Sequence, residues 1–383
     1  MFTSRISFTN FKKKIKSKKV EQNLKYIIEE NNEITKSLSK NYKHKFSKRF
    51  INNYRKYLNF RLIGMGGSSL GTQAIYEFLR DKIKKNFLFI DNLQSKKKIL
   101  SKKKYVNLVV SKSGNTIETI LNLNIIKKKD KNIFITESKK NSLTILADKL
   151  KAEVIHHNNF IGGRYSVLSE VGMLPAELMG LNSKKFKQYN ALIKNKNFLN
   201  SLIQNVSSTL FFLKNKKFNS IIINYDQQSE NLFKWYQQLV AESIGKSNKG
   251  ILPIVSTMPK DNHSLMQLYL DGFQNNFFTF FYAHNNNFEK VDNSKLTELQ
   301  KYLKNKKISE VIYAQKKATE KVFKKKKIPF RSFEIIKRNE ETLGELFCFF
   351  ILETILIGKS LSLNPYDQPA VELIKKETKN FLI

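Results

Sequence analysis

Phe60-Arg61-Leu62-Ile63-Gly64-Met65-Gly66-Gly67-Ser68-Ser69-Leu70-Gly71 is the stretch that decides the architecture. A short apolar strand (60–63) runs into a glycine-rich turn, and a helix over Thr72–Leu79 is expected to follow. Glycines let the backbone approach an anion closely, and a helix start supplies free N–H groups with a partial positive charge. Ser69 stands where a dinucleotide fingerprint has its third glycine, and no Gly-Lys-Ser/Thr follows as in a Walker loop. Taken alone, the stretch reads equally well as a tight strand-to-helix turn.

The same rhythm continues on its C-terminal side. Strands are expected at Asn86–Ile90, Val106–Val110, Asn132–Thr136 and Ala152–Ile155, with helices between them. A second set follows: strands Ser220–Asn224, Ile251–Ser256, Phe277–Tyr282 and Pro329–Phe333. Helices are expected at Glu230–Ile244, Lys295–Leu303 and, long and apolar, Glu341–Gly358. Strands alternating with helices imply parallel pairing, and ligands of such sheets sit at the carboxyl ends of strands. The expectation is an α/β chain of two stacked three-layer αβα sandwiches with parallel sheets. Helices are expected at both ends, with the segment before Tyr57 read as helical and lysine-rich.

The chain has 383 residues, a net charge of +37 and 41% hydrophobic residues, enough for two sizeable cores. Lysine runs at Lys12–Lys19, Lys96–Lys98, Lys102–Lys104, Lys127–Lys129 and Lys324–Lys327 are scattered, and no nucleic-acid-binding motif accompanies them. Solvated faces are therefore expected, without a nucleic-acid partner. The single Cys348 excludes an internal disulfide and favours a reducing, cytoplasmic setting. Leu346–Leu352 is continuously apolar but bounded by Glu345 and Glu353, which suits a buried helix and not a membrane span.

Five further strings carry chemistry. Ser111-Lys112-Ser113-Gly114-Asn115-Thr116-Ile117-Glu118-Thr119 lies at a second strand end, where several hydroxyls can converge on one phosphate without a metal. Gly162-Gly163-Arg164-Tyr165-Ser166 offers a guanidinium to a developing oxyanion. Glu242 shares a helical stripe with Leu232, Trp235 and Leu239, an apolar setting that would suit a general base; the bland alternative is an ion pair with Lys246. His263, in the loop Asp261-Asn262-His263, can move protons near neutral pH. His44, His156, His157 and His284 are read as structural. In Asp367-Gln368-Pro369-Ala370-Val371-Glu372, Pro369 opens a helix that carries Lys375 on the side of Val371 and Glu372. No spacing suggests a metal site, and no cofactor motif is present.

In this order the strings resemble the glucose-6-phosphate isomerase family, over roughly the last five-sixths of the chain. The resemblance implies two sugar-isomerase (SIS) domains, at 58–195 and 196–383, behind an N-terminal helical segment 1–57. It implies reversible, metal-free interconversion of D-glucose 6-phosphate and D-fructose 6-phosphate through a cis-enediol intermediate. A dual phosphoglucose/phosphomannose isomerase and a non-catalytic SIS sugar-phosphate binder are the alternatives. By position, Gly67, Ser68, Ser111, Ser113 and Thr116 would hold the phosphate, with Lys112 and Thr119 nearby. Glu242 would be the base, Arg164 would stabilise the intermediate, and Gln368 would line the site. His263, supplied by the partner of a homodimer, would act with Lys375 on the sugar ring. Two departures from the family pattern stand out. Ser113-Gly114-Asn115 replaces a bulkier string of animal members, and Lys260-Asp261-Asn262 lacks a common glycine before His263.

Overall fold

In the computed structural model, residues 3–12, 15–93, 104–127, 130–284 and 289–383 are described. The run Lys96–Lys98 and parts of the runs at 12–19, 102–104 and 127–129 lie outside them. Ten strands form two five-stranded sheets. They are β1 (Ile6–Thr9), β2 (Asn59–Ile63), β3 (Asn86–Ile90), β4 (Val106–Val110) and β5 (Lys131–Thr136), followed by β6 (Glu153–His156), β7 (Asn219–Asn224), β8 (Leu252–Thr257), β9 (Asn276–Ala283) and β10 (Phe330–Ile335).

The first sheet has the order β3-β2-β4-β5-β6 and is parallel throughout. All five residues of β4 are buried, as expected for a central strand covered by helices on both faces. The chain passes from β2 to β3 on one side and returns to β4 on the other. The carboxyl ends of β2 and β4 therefore flank the point where strand order reverses, the usual ligand position of such sheets. The glycine turn leaves β2 there and Ser111–Thr119 leaves β4.

The second sheet has the order β1-β10-β9-β7-β8. Strands β7 to β10 are parallel, as read from the sequence, but β1 pairs antiparallel with β10, Ile6 opposite Ile335 and Phe8 opposite Phe333. The N-terminal segment is thus not wholly helical: its first residues close the edge of the distant sheet. Its helices are Lys18–Glu30, Glu33–Leu38 and Lys48–Tyr54. The expected helix at 295–303 is two short 3-10 turns, Asn293–Lys295 and Glu298–Leu303, before a helix over Ile308–Lys325.

The Glu340–Ser360 helix forms the shared core, buried at every position except Glu341 and Lys359. Its internal Glu353 is met by Arg331, Asn205 and Tyr236, which satisfy a carboxylate too costly to bury alone. Among the described residues no helix is long and apolar enough to cross a membrane.

Candidate active site

The glycine turn begins with a 3-10 turn, Gly66–Ser68, and leads into the Leu70–Phe78 helix. Gly67 is required by contact: a Cβ there would lie 2.2 Å from the backbone carbon of Gly163. Two glycine loops, about a hundred residues apart in sequence, therefore touch backbone to backbone, and Ser166 Oγ donates to Gly163 O at 2.7 Å. Gly66, at φ +52°, lies against the Gln238 side chain. Ser68, half-buried, stands on the same turn.

The second turn folds on its own hydroxyls. Ser111 Oγ and Thr116 Oγ1 are 2.9 Å apart, and the Asn115 N–H donates to Ser113 Oγ. Gly114 adopts φ +66°, and Asn141 occupies the space where a Cβ would point, so both the backbone and the packing call for glycine. Thr119 is fully buried beneath the turn, its hydroxyl without a partner among the described residues. Burial depresses the Lys112 pKa; Glu137, 3.8 Å away, opposes this, while the like charges of Lys139 and Arg164 add to it. Gly67, Ser68, Ser111, Lys112, Ser113, Thr116 and Thr119 thus all lie on the two turns that leave adjacent strands.

Arg164 is the hub. It is 2% exposed, and its five donors reach five acceptors: Ser243 Oγ at 2.8 Å, Glu242 Oε2 at 3.4 Å, Gln368 Oε1 at 2.5 Å, Pro365 O at 2.8 Å and Asp367 O at 2.9 Å. Trp235 holds its backbone carbonyl from the other side. The Tyr165 hydroxyl donates its one proton to Pro365 O, so Ser243 must donate to Tyr165 while accepting from Arg164. The guanidinium is locked in place before any ligand arrives.

Glu242 occupies the last turn of the Glu230–Ile244 helix, whose Leu232, Trp235 and Leu239 are buried. Its carboxylate does not share their apolar setting, contrary to expectation. The side chain is 27% exposed, accepting from Gln238 Nε2 at 2.8 Å and from Arg164. The stripe ends in Ser243, which takes the buried side and leaves Glu242 at the rim. Nor is Glu242 paired with Lys246. That lysine bonds Asn364 O, Asp367 O and Asp367 Oδ1 instead, pinning the turn that presents Gln368. Glu242 and Gln368 open together onto a cavity of about 1200 Å³.

One residue read as catalytic stands apart. His263 ends an exposed 3-10 turn after the carboxyl end of β8. Glu242 lies on the helix that runs back to the start of β8, so the six residues of that strand hold the two roughly 20 Å apart at about 3.3 Å per residue. Lys375 is exposed on the Ala370–Leu382 helix and bonds Glu372 at 2.6 Å. Ala370 and Val371, at the start of that helix, line the same cavity as Glu242 and Gln368. No residue of that helix is buried. Gln238 and Ser243 were not singled out from the sequence, although both lie in the string around Glu242. Among the described residues no group of three or more His, Cys, Asp or Glu side chains is arranged to hold a metal.

Comparison with known proteins gives a consistent result. The family model described as phosphoglucose isomerase matches residues 25–259. The chain is 33% identical over 346 residues to the glucose-6-phosphate isomerase of Methanocaldococcus jannaschii, covering 84% of this chain and 83% of that one. It is 32% identical over 343 residues to that of Mycoplasmopsis pulmonis, covering 82% and 80%. Among solved structures, a hypothetical protein of Thermus thermophilus superposes with a TM-score of 0.84 at 22% identity, over 95% of this chain and 94% of that one. A glucose-6-phosphate isomerase of Chlamydia trachomatis superposes with 0.71 at 20% identity, over 87% and 71%.

Proposed function

From the premise that the chain belongs to the phosphoglucose isomerase family, we propose that it interconverts D-glucose 6-phosphate and D-fructose 6-phosphate. The carrying observation is the Arg164–Glu242–Gln368 cluster, set against the glycine turn through the Gly67–Gly163 contact. The hydroxyls of Ser68, Ser111, Ser113 and Thr116 hold the phosphate, with Lys112 adding charge. Thr119 supports the turn from below.

Glu242 takes the proton from C2 of the open aldose, giving a cis-enediol(ate), and delivers it to C1 of that intermediate while a proton passes from O2 to O1, giving the ketose; the reverse reaction retraces these steps. A carboxylate at the rim, already hydrogen-bonded but open to the cavity, suits such a shuttle. Arg164 stabilises the developing oxyanion by its charge: its donors are engaged within the protein, so the guanidinium is held in place and little reorganisation accompanies reaction. Gln368 lines the pocket.

The separation of His263 from Glu242 supports a homodimer in which the partner copy supplies His263. The unpacked helix bearing Lys375 supports its ordering on substrate binding or dimer formation, after which the two groups open and close the sugar ring. We take the units as 58–195 and 196–383 behind segment 1–57, with residues 6–9 lent to the second sheet. The lone thiol of Cys348, pushed up to about 12 by burial, fits a reducing cytoplasm, and the scattered lysines fit solvated faces better than a nucleic-acid site.

A coupled assay of the purified chain, following glucose 6-phosphate formed from fructose 6-phosphate, tests the reading. Turnover without added metal is expected. A chain that binds the sugar phosphate and never converts it would leave only a SIS-type binder.

A further inference from the structure

On the far side of the Gly163–Leu168 turn lies a cavity of about 740 Å³ that shares no residue with the phosphate turns or the Arg164 cluster. It is walled by the segment 40–55 and by the 3-10 turn Ser183–Phe186 with Lys187. Lys40, Lys43, Lys48, Arg55 and Lys184 line it. All five are exposed, and none forms an ion pair among the described residues. The one carboxylate in the lining, Glu177, accepts from the Ser183 N–H at 3.0 Å through one oxygen and is outnumbered by the five cations. Cations arranged around a concave, low-dielectric wall reinforce one another's potential, unlike lysines scattered over a convex face.

The floor is equally specific. Lys187 is buried, donates to Ser37 O and Leu168 O, and sits 4.9 Å over the Tyr42 ring. Two of its three donors are thereby used, and burial pushes its pKa down to about 7, so near neutral pH it adds only part of a charge to the field. His44 stacks on Phe46 at 5.0 Å and meets Tyr42 edge-on at 5.3 Å. Burial and the Lys187 charge push its pKa down to about 3, the nearby Glu170 carboxylate opposing only in part, so the ring is neutral. Its Nδ1 is buried and has no partner. The His44 ring lines the floor, so its signal reports on what enters the cavity.

We propose that this cavity binds a small phosphorylated anion, separately from the sugar-phosphate site. Its volume falls within the range of small-molecule pockets, and the cations close around one mouth instead of forming the extended track that a nucleic-acid backbone needs.

The test uses the full chain and inorganic pyrophosphate, read from histidine-ring NMR spectra at constant physiological ionic strength. The chain has five histidines, and the His44 signal is assigned by its loss in His44→Gln. Because the readout is local to His44, pyrophosphate bound at the sugar-phosphate turns does not confuse it. The His44 signal is expected to move saturably. A Lys43→Glu/Lys184→Glu double variant should weaken binding about tenfold or more, since two attractive charges become repulsive. Both positions are exposed, and unchanged signals from the other four histidines would verify the variant's fold. A His44 signal that stays still, that drifts without saturation, or that saturates equally in the double variant overturns the proposal.

Discussion

The two sheets repeat one strand order, yet their carboxyl edges carry opposite chemistry. Written from the same starting point, β3-β2-β4-β5 corresponds to β8-β7-β9-β10, so the glycine turn after β2 corresponds to Asp226–Ser229 after β7. The first presents glycines and hydroxyls. The second presents the Asp226 carboxylate in an ion pair with Arg338 at 2.6 Å, which leaves a phosphate no free positive charge there. The helices that follow the two turns, Leu70–Phe78 and Glu230–Ile244, pack on each other. The second sheet contributes Glu242 from the far end of its helix, close to the first sheet's glycines. One topology has thus been used twice: once for its helix start, where anions are welcome, and once for its helix end, as a rigid mount for a carboxylate.

If that division holds, Glu242→Gln should have the largest effect, lowering turnover by about 10³-fold or more, toward the upper range for general bases. Binding of a non-isomerising sugar phosphate should change little, because the phosphate turns belong to the other sheet. Appreciable turnover in that variant would remove Glu242 from the role. Next comes complementation. Glu242→Gln and His263→Gln chains, each nearly inactive, should regain about a quarter of wild-type activity when mixed and re-equilibrated, as random pairing in a two-fold dimer requires. Absence of any recovery would place both groups in one subunit.

Gly67→Ala should be milder in catalysis and visible in stability. Its methyl group meets the Gly163 backbone at 2.2 Å and must part the two turns, costing about 1–3 kcal/mol as overpacking usually does. Denaturant midpoints and the KM for fructose 6-phosphate would both shift; an unchanged KM would separate that contact from substrate binding.

The smallest effect concerns the second sheet alone. Burial works to raise the Glu334 pKa, but the hydrogen bond and charge of Lys316, with Lys317, outweigh it and bring it to about 2. A carboxylate depressed in the folded state stabilises above its unfolded pKa and loses that contribution as pH falls through the folded value. The melting temperature should therefore fall between about pH 4.5 and 2, more steeply than in Glu334→Gln. Parallel pH profiles for the two proteins would discard this pair as a source of acid lability.

Much of this contrast was readable from residues. Nine of the ten strands were expected close to where they occur, because apolar runs of strand length separated by glycine and polar turns leave few alternatives. Strand β1 was missed, although Ile6-Ser7-Phe8-Thr9 alternates buried and more exposed residues. Four residues seldom declare a strand whose only partner lies more than three hundred positions away. Glu242, Arg164 and Gln368 were chosen individually, but an apolar stripe in one dimension does not reveal which side chain ends at the rim. Lys246 looked like a partner for Glu242 at helical spacing. Only the return of residues 364–368 to the site showed which acceptors it prefers.

The order of residues by itself determined the alternation of strand and helix, the two anion-ready turns and the set of side chains able to act. These depend on local sterics, period and hydrogen-bonding capacity. Tertiary structure alone decided that Gly67 meets Gly163, that Arg164 spends all five donors, and that β8 stands between Glu242 and His263. Those facts depend on how two sheets pack across a shared buried helix, which no local pattern encodes.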